Sequence, residues 1–188
     1  MTVDEPTYKI ALSQGNIEVR DYPEVAVAEV TVAGDRKAAG NIGFKMLAGY
    51  IFGGNVGHRR FAMTAPVIVA LNESTTAPNT KLEPAKKQVG SWLIRFIMPT
   101  GKLLDMLPKP NDSRVHLRNA PASRIATLRF SGLASESRIK RKTEELHTFL
   151  DTHHLRPVGS SYLARYNPPW TLWFMRRNEV MIPVETTL

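Results

Sequence analysis

The chain of 188 residues contains no cysteine. That excludes disulfides, thiolate zinc sites, cysteine-ligated iron–sulfur clusters and a cysteine nucleophile. It leaves the compartment open, because a cysteine-free chain folds in reducing and oxidising surroundings alike. Long apolar runs are missing too: no stretch of about 18 apolar residues could serve as a transmembrane helix. The opening segment MTVDEPTYKI is acidic and polar, so no secretory signal is expected there and the expected location is cytoplasmic. Enzyme motifs are absent as well. There is no GxSxG elbow, no HExxH and no carboxylate pair whose spacing marks acid–base catalysis. Gly49–Gly54 has some glycines of a phosphate loop, but Asn55 and Val56 stand where Lys and Ser/Thr are needed. Only Glu18, Asp21, Tyr22 and His58 could supply acid–base groups, so the residues argue for no enzyme.

What is present is an ordinary globular composition, with 43% hydrophobic and 22% charged residues, at a length that suits one domain. Lys and Arg number 25 against 17 Asp and Glu, for a formal charge of +8. Such an excess invites a polyanion partner. The densest cluster, Arg138, Lys140, Arg141 and Lys142, opens a helical pattern that continues with Glu144, Glu145 and Asp151. That alternation of sign favours a solvated helix face over a phosphate-tracking surface. With no zinc-finger spacing and no aromatic RNP-type strand, no nucleic-acid partner is expected.

An internal repeat organises the chain. Residues 17–34 (IEVRDYPEVAVAEVTVAG) align without a gap on residues 115–132 (VHLRNAPASRIATLRFSG). Arg20 matches Arg118, Pro23 matches Pro121, Ala28 matches Ala126 and Gly34 matches Gly132. Each copy has the period of two that marks strands, with a proline turn between them. Each is followed by a helical pattern. In the first copy Asp35 is the expected N-cap, and Ala39, Ile42, Met46 and Tyr50 recur at helical spacing. Gly40, Gly43 and Gly49 each weaken that helix by roughly 1 kcal/mol against Ala. They imply close approach of something to its surface, either another element or a flat ligand. In the second copy Ile139, Leu146, Phe149 and Leu150 form the apolar stripe. Further strands are expected at 66–71 and 92–98, then at 161–166, 171–174 and 179–184. Between the first two lies a long polar loop, 72–90, for which mobility is expected. Residues 99–112 read as the linker between halves. The expected architecture is α+β, an antiparallel sheet, curled or closed, with two helices on it.

The histidines point to no metal cluster. His153 and His154 are adjacent and diverge on a helix, His147 lies on a polar flank, and His116 lies in a strand beside Arg114 and Arg118. His58, in the glycine-rich loop GGNVGHRR, reads as an exposed loop histidine or as an anion or metal contact.

Several segments carry a resemblance. Glu18-Val-Arg-Asp-Tyr-Pro23, Gly49-Tyr-Ile-Phe-Gly-Gly-Asn55, Ala62-Met-Thr-Ala-Pro-Val67, Ala164–Thr171 and Arg176-Arg-Asn-Glu-Val180 together resemble the SOUL haem-binding protein family. The resemblance runs in order from about Tyr8 to Pro183. It implies a single domain over 1–188, with halves of about 8–98 and 113–184, folded as a distorted antiparallel β-barrel carrying two helices. The same scaffold is similar to the effector-binding domains of some bacterial transcription regulators. The function implied is non-enzymatic binding of haem or metal-free porphyrin, as a tetrapyrrole carrier or buffer. A different small hydrophobic ligand, as in effector-binding domains, is the alternative. No membrane span and a monomer are expected.

By position, the resemblance implies a first-helix wall of Lys37, Asn41, Phe44, Lys45 and Ala48. The opposing wall would be Tyr166, Trp170, Trp173, Arg176 and Arg177. Aromatic rings would cover the porphyrin face, and Lys37, Lys45, Arg176 and Arg177 would meet its propionates. Trp170 and Trp173 could equally be core or rim, and Arg176 and Arg177 could be structural partners of Glu179 or Glu18. The sequence departs from some family members at Asp21, where those members present a proposed axial histidine. A carboxylate is a poor haem ligand compared with imidazole. Substitutes would be His58, Tyr22 or Met63, with His58 the candidate metal contact, and loose binding is expected.

Overall fold

The computed structural model describes residues 3–72, 90–99, 101–167 and 171–186. The element order is β1 (Lys9–Gln14), β2 (Ile17–Tyr22), β3 (Val25–Gly34), α1 (Arg36–Ile51), β4 (Val67–Leu71), β5 (Gly90–Ile97), β6 (His116–Ala120), β7 (Ser123–Ser131), α2 (Glu136–Thr152), β8 (Tyr162–Arg165) and β9 (Arg177–Val184). Gly34 and Gly132 end β3 and the segment after β7 at φ 131 and 95, a region that favours glycine. There the chain leaves the sheet for a helix. Asp35 accepts from the Ala38 N–H at 2.9 Å, and Ser135 accepts from the Arg138 N–H at 3.4 Å. Each cap satisfies a donor that a helix start would otherwise orphan.

The strands form one nine-stranded sheet in the order β1-β2-β7-β9-β8-β4-β5-β3-β6. All its pairings are antiparallel. Leaving β1 aside, exchanging each strand for its counterpart in the other repeat returns the same order reversed. The repeat is therefore a pseudo-twofold in space, and its axis passes through the pair Val69–Leu163 between β4 and β8. Stepping outward, Ile68 becomes equivalent to Tyr162, and their neighbours Arg95 and Met181 become equivalent. The next partners are Glu29 and Thr127, which the sequence alignment also equates. Register and repeat thus agree.

Both helices cover the same face. Val69 lies directly opposite Leu163, so the two share a face. Val69 belongs to the core under α1 with Leu47, Ile94 and Phe96. Leu163 belongs to the core under α2 with Leu146, Leu150 and Val180. Each such buried side chain contributes about 1.5–3 kcal/mol. Arg36 and Glu136, the first residues of the two helices, form an ion pair across the axis. Gly43 explains part of the glycine content of α1: a Cβ there would sit 2.6 Å from Ile94 Cγ1. At Gly40 a Cβ would meet Val69 at an ordinary 3.7 Å, and at Gly49 it would meet nothing. The close approach is a strand at one glycine.

Three expectations need correction or addition. The closed barrel becomes an open sheet: β2 already carries β1 on its outer edge, so that edge is not available to meet β6. The expected strand at 171–174 is instead an exposed loop with a 3-10 turn at Trp173–Met175. Its apolar residues run consecutively rather than alternating, so no face is defined for a sheet to bury. β1 was not expected. It is exposed along its length and is held by its ladder to β2 after a turn at Gly15–Asn16. Of the linker, Leu104–Met106 forms a 3-10 turn. The expected mobile loop at 73–89 lies outside the described residues.

Candidate functional site

The loop between β8 and β9 sits at the end of the sheet where β4 begins, because Arg165 pairs with Val67. The loop is tied to the approach to α2, because the Gly132 N–H donates to the Arg176 carbonyl at 3.0 Å, and Glu136 at the start of α2 pairs with Arg36 at the start of α1. On the loop Leu172, Trp173, Phe174 and Met175 stand in solvent, each more than half exposed, as do Phe52 and Val56 beyond the end of α1. Trp173 and Phe174 pack edge to face at 5.7 Å. Trp170 lies outside the described residues.

The first-helix residues divide by depth. Lys37, Asn41 and Lys45 are exposed and follow one another at steps of four, so they form one stripe. Phe44 is half-buried, its ring 5.5 Å from Phe96 in an edge contact, and Ala48 is also half-buried. Tyr166 and Arg177 go elsewhere. The Tyr166 hydroxyl donates to Glu179 Oε2 at 2.7 Å. Arg177 stacks over the Tyr166 ring at 3.7 Å and binds Glu179 and Glu5. Glu179 lies opposite Ala164, which lies opposite Ile68, on the face away from the helices. The structure therefore joins Tyr166 to Arg177 but does not join either to Phe44. The Arg176 Nε donates to the Thr171 carbonyl at 2.8 Å, which ties the exposed loop to the start of β9.

His58 adopts a left-handed φ of 50 and is exposed. Its Nδ1 lies 3.2 Å from the Gly53 carbonyl. Donation from Nδ1 there leaves Nε2 as the outward nitrogen, the arrangement that orients metal-binding imidazoles. Asp21 is engaged by Arg124 at 2.7 and 2.9 Å. That hydrogen-bonded pairing holds its carboxyl below the ordinary range. Among the described residues no group of three or more His, Asp or Glu could hold a metal.

The face away from the helices holds a buried ionic network in which Arg177 meets Glu179, one of the pairings the sequence offered, while the part of Arg20 was not read from sequence. Arg20 is 3% and Glu179 0% exposed. Arg20 Nη1 donates to Glu179 Oε2 at 2.8 Å and Nη2 to Oε1 at 3.3 Å, while Nε donates to Glu18 at 2.7 Å. Tyr8 lies under the guanidinium at 4.4 Å. Burial pushes the Glu179 carboxyl up, but Arg20, Tyr166 and Arg177 together outweigh it and hold the group below its ordinary value. Burial pushes the Tyr22 hydroxyl up to about 12. The motif residues quoted above serve the same framework. Asn55 is fully buried and bonds Tyr50 and Arg59, Thr64 bonds the Ile97 carbonyl, and Asn178 bonds the Gly132 carbonyl at 2.9 Å.

Beside this network lies a cavity of about 230 Å³ on the same face. Its lining includes three equivalent pairs: Val27 with Ile125, Ile68 with Tyr162, and Arg95 with Met181. It therefore straddles the pseudo-twofold, and all but a few of its lining groups are apolar.

Architecture and site define a duplicated α+β domain with an outer apolar loop and an inner cavity. A family model described as SOUL heme-binding protein matches residues 3–183, and the chain belongs to that family. Solved structures share the fold. One is the EcmrR C-terminal domain, with a TM-score of 0.64 at 13% identity over 96% of this chain and 99% of that one. Another is a hydrolase from Listeria innocua, with a TM-score of 0.61 at 17% identity over 90% and 92% of the two chains. EcmrR in complex with DNA matches at a TM-score of 0.63 and 13% identity, over 91% of this chain and 57% of that one. No curated protein matches the sequence. Among the described residues no helix is long and apolar enough to cross a membrane.

Proposed function

We propose that the chain is a non-enzymatic small-molecule-binding protein of the cytoplasm whose ligand is haem or metal-free porphyrin. Family membership supports the ligand class. The observation that carries the reading is the exposed run Leu172–Met175. A contiguous apolar patch of that kind marks a binding surface. Trp173 and Phe174 would cover the macrocycle, with Trp170 beside them in sequence. Lys37 and Lys45, on the exposed stripe of α1, are the helix cations for the propionates, and Arg176 approaches from the loop. Asn41 lies between the two lysines of the stripe, and Ala48 follows Lys45 one turn on. His58 Nε2 is the nitrogen available to iron. A bound haem would supply an absorbing, redox-active centre, while these residues hold and orient it. Glu18, Asp21 and Glu179 are all engaged by arginines, which supports a carrier rather than a catalyst.

Titration with hemin should give a saturable Soret shift. Trp173→Ala with Phe174→Ala should weaken it about tenfold or more. His58→Ala should alter the spectrum more than the affinity. A shift no larger than that of an unrelated protein of equal charge would sink the reading. A second reading, a pocket for another hydrophobic small molecule, is favoured by the cavity on the opposite face.

A further inference from the structure

The cavity at the pseudo-twofold is apolar by symmetry and polar by exception. Tyr162 stands where the other half has Ile68, and Arg95 stands where it has Met181. Tyr22 and Ser123 also line the cavity, and these substitutions add one hydroxyl and one guanidinium to the lining. Neither is fully used by the protein. The Tyr162 hydroxyl makes no hydrogen bond among the described residues. Burial pushes its ionisation up, so it stays protonated and can donate. Arg95 reaches Glu29 through Nε and Nη2, both at 2.9 Å, and its Nη1 makes no hydrogen bond among the described residues. Glu29 is shared, because Arg118 Nε also donates to it at 2.6 Å. One carboxylate between two guanidiniums leaves one positive charge in excess. The other acids of the adjoining network are engaged as well, Glu179 by two arginines and a tyrosine and Glu18 by Arg20. No carboxylate is left to receive a cationic ligand.

We propose that this cavity is a second ligand site, for a small monocarboxylic acid with an apolar body. It rests on reading the cavity as a ligand pocket and is independent of the tetrapyrrole surface. The acid's carboxylate takes the charge-assisted bond from Arg95 and the hydroxyl bond from Tyr162. Its body lies among Val27, Ile68, Ile125 and Pro183. A volume of about 230 Å³ falls below the usual range for drug-sized ligands, so the occupant has few atoms and is not a macrocycle.

The test uses the full chain and three probes of one shape: phenylacetate, 2-phenylethanol and 2-phenylethylamine, followed by ligand-observed NMR and calorimetry. Phenylacetate should bind about tenfold or more tightly than the alcohol, with the amine weakest. Arg95→Met, which restores the residue of the other half, should remove the preference for the acid while retaining the alcohol. Tyr162→Phe should weaken the acid severalfold. Ile125→Trp, which fills the cavity, should abolish all binding yet leave the hemin titration unchanged. This last variant carries the test if Arg95→Met does not fold. Equal affinity for acid and alcohol overturns the acid assignment while the pocket stands. Absence of binding by all three probes at about 10 mM overturns the pocket itself.

Discussion

Arg20 and Arg118 occupy equivalent positions of the two repeats, yet they live in different surroundings. Arg20 has a side chain 4% exposed and meets Glu179, which is 0% exposed. Arg118 is 43% exposed and meets Glu29 at 13%. The carboxylates are not equivalents: the counterpart of Glu29 is Thr127, whose hydroxyl is buried without a partner. The helices differ in the same way. α1 is pressed onto β5 at Gly43, whereas α2 is a charged helix with a narrow apolar stripe. Duplication has preserved the backbone and let each half choose its own polar chemistry. A charge pair of the same geometry counts for much where water is excluded and for little where it is not.

The largest expected effect comes from breaking the buried pair. Glu179→Gln leaves Arg20 and Arg177 without their shared carboxylate and should cost about 3–5 kcal/mol in denaturant unfolding. Its pH dependence sharpens the point. The Glu179 pKa is depressed in the fold, so its contribution is complete above the unfolded carboxylate value. It is lost as pH falls through the lower folded value. The stability gap between the natural protein and Glu179→Gln should be flat above about pH 5 and close below about pH 4. A gap that widens on acidification would contradict the depressed value.

Gly43→Ala should come next. The added methyl meets Ile94 side-chain atoms at 2.6–2.9 Å, and overpacking of this kind costs about 1–3 kcal/mol. Gly49→Ala, with nothing within 4 Å, should instead stabilise by up to about 1 kcal/mol through helix propensity. Opposite signs of melting-temperature shift for two glycines of one helix would confirm contact rather than propensity as the cause. The smallest effect belongs to Arg118→Ala, within about 1 kcal/mol. Equal losses at Arg118 and Glu179 would erase the distinction between the two halves.

Local patterning made much of this fold legible. Period-two runs located β2, β3, β4, β5, β8 and β9, and the N-cap of α1 was readable at Asp35. β1 escaped because it buries no side chain. The Gly15–Asn16 turn after alternating Ile10 and Leu12 was the signal available for it. The site was less legible. The resemblance sets Tyr166 and Arg177 opposite the first helix, with Glu179 as the alternative partner of Arg177, and strand parity puts both on the other face, where each meets Glu179. Arg20 and Glu179 lie far apart in sequence, and nothing local distinguishes a buried charge from a solvated one.

Taken alone, the amino-acid order determined the duplication, the class of secondary structure, the absence of thiol chemistry and the family. These depend on patterns within a few residues or on motifs read directly. The tertiary structure decided whether the sheet closes, which face each side chain occupies, which arginine meets which carboxylate, and that a cavity lined by two tyrosines and one arginine lies on the symmetry axis. Those outcomes depend on strand register and on water exclusion. Both are set by contacts between segments that the linear order does not bring together.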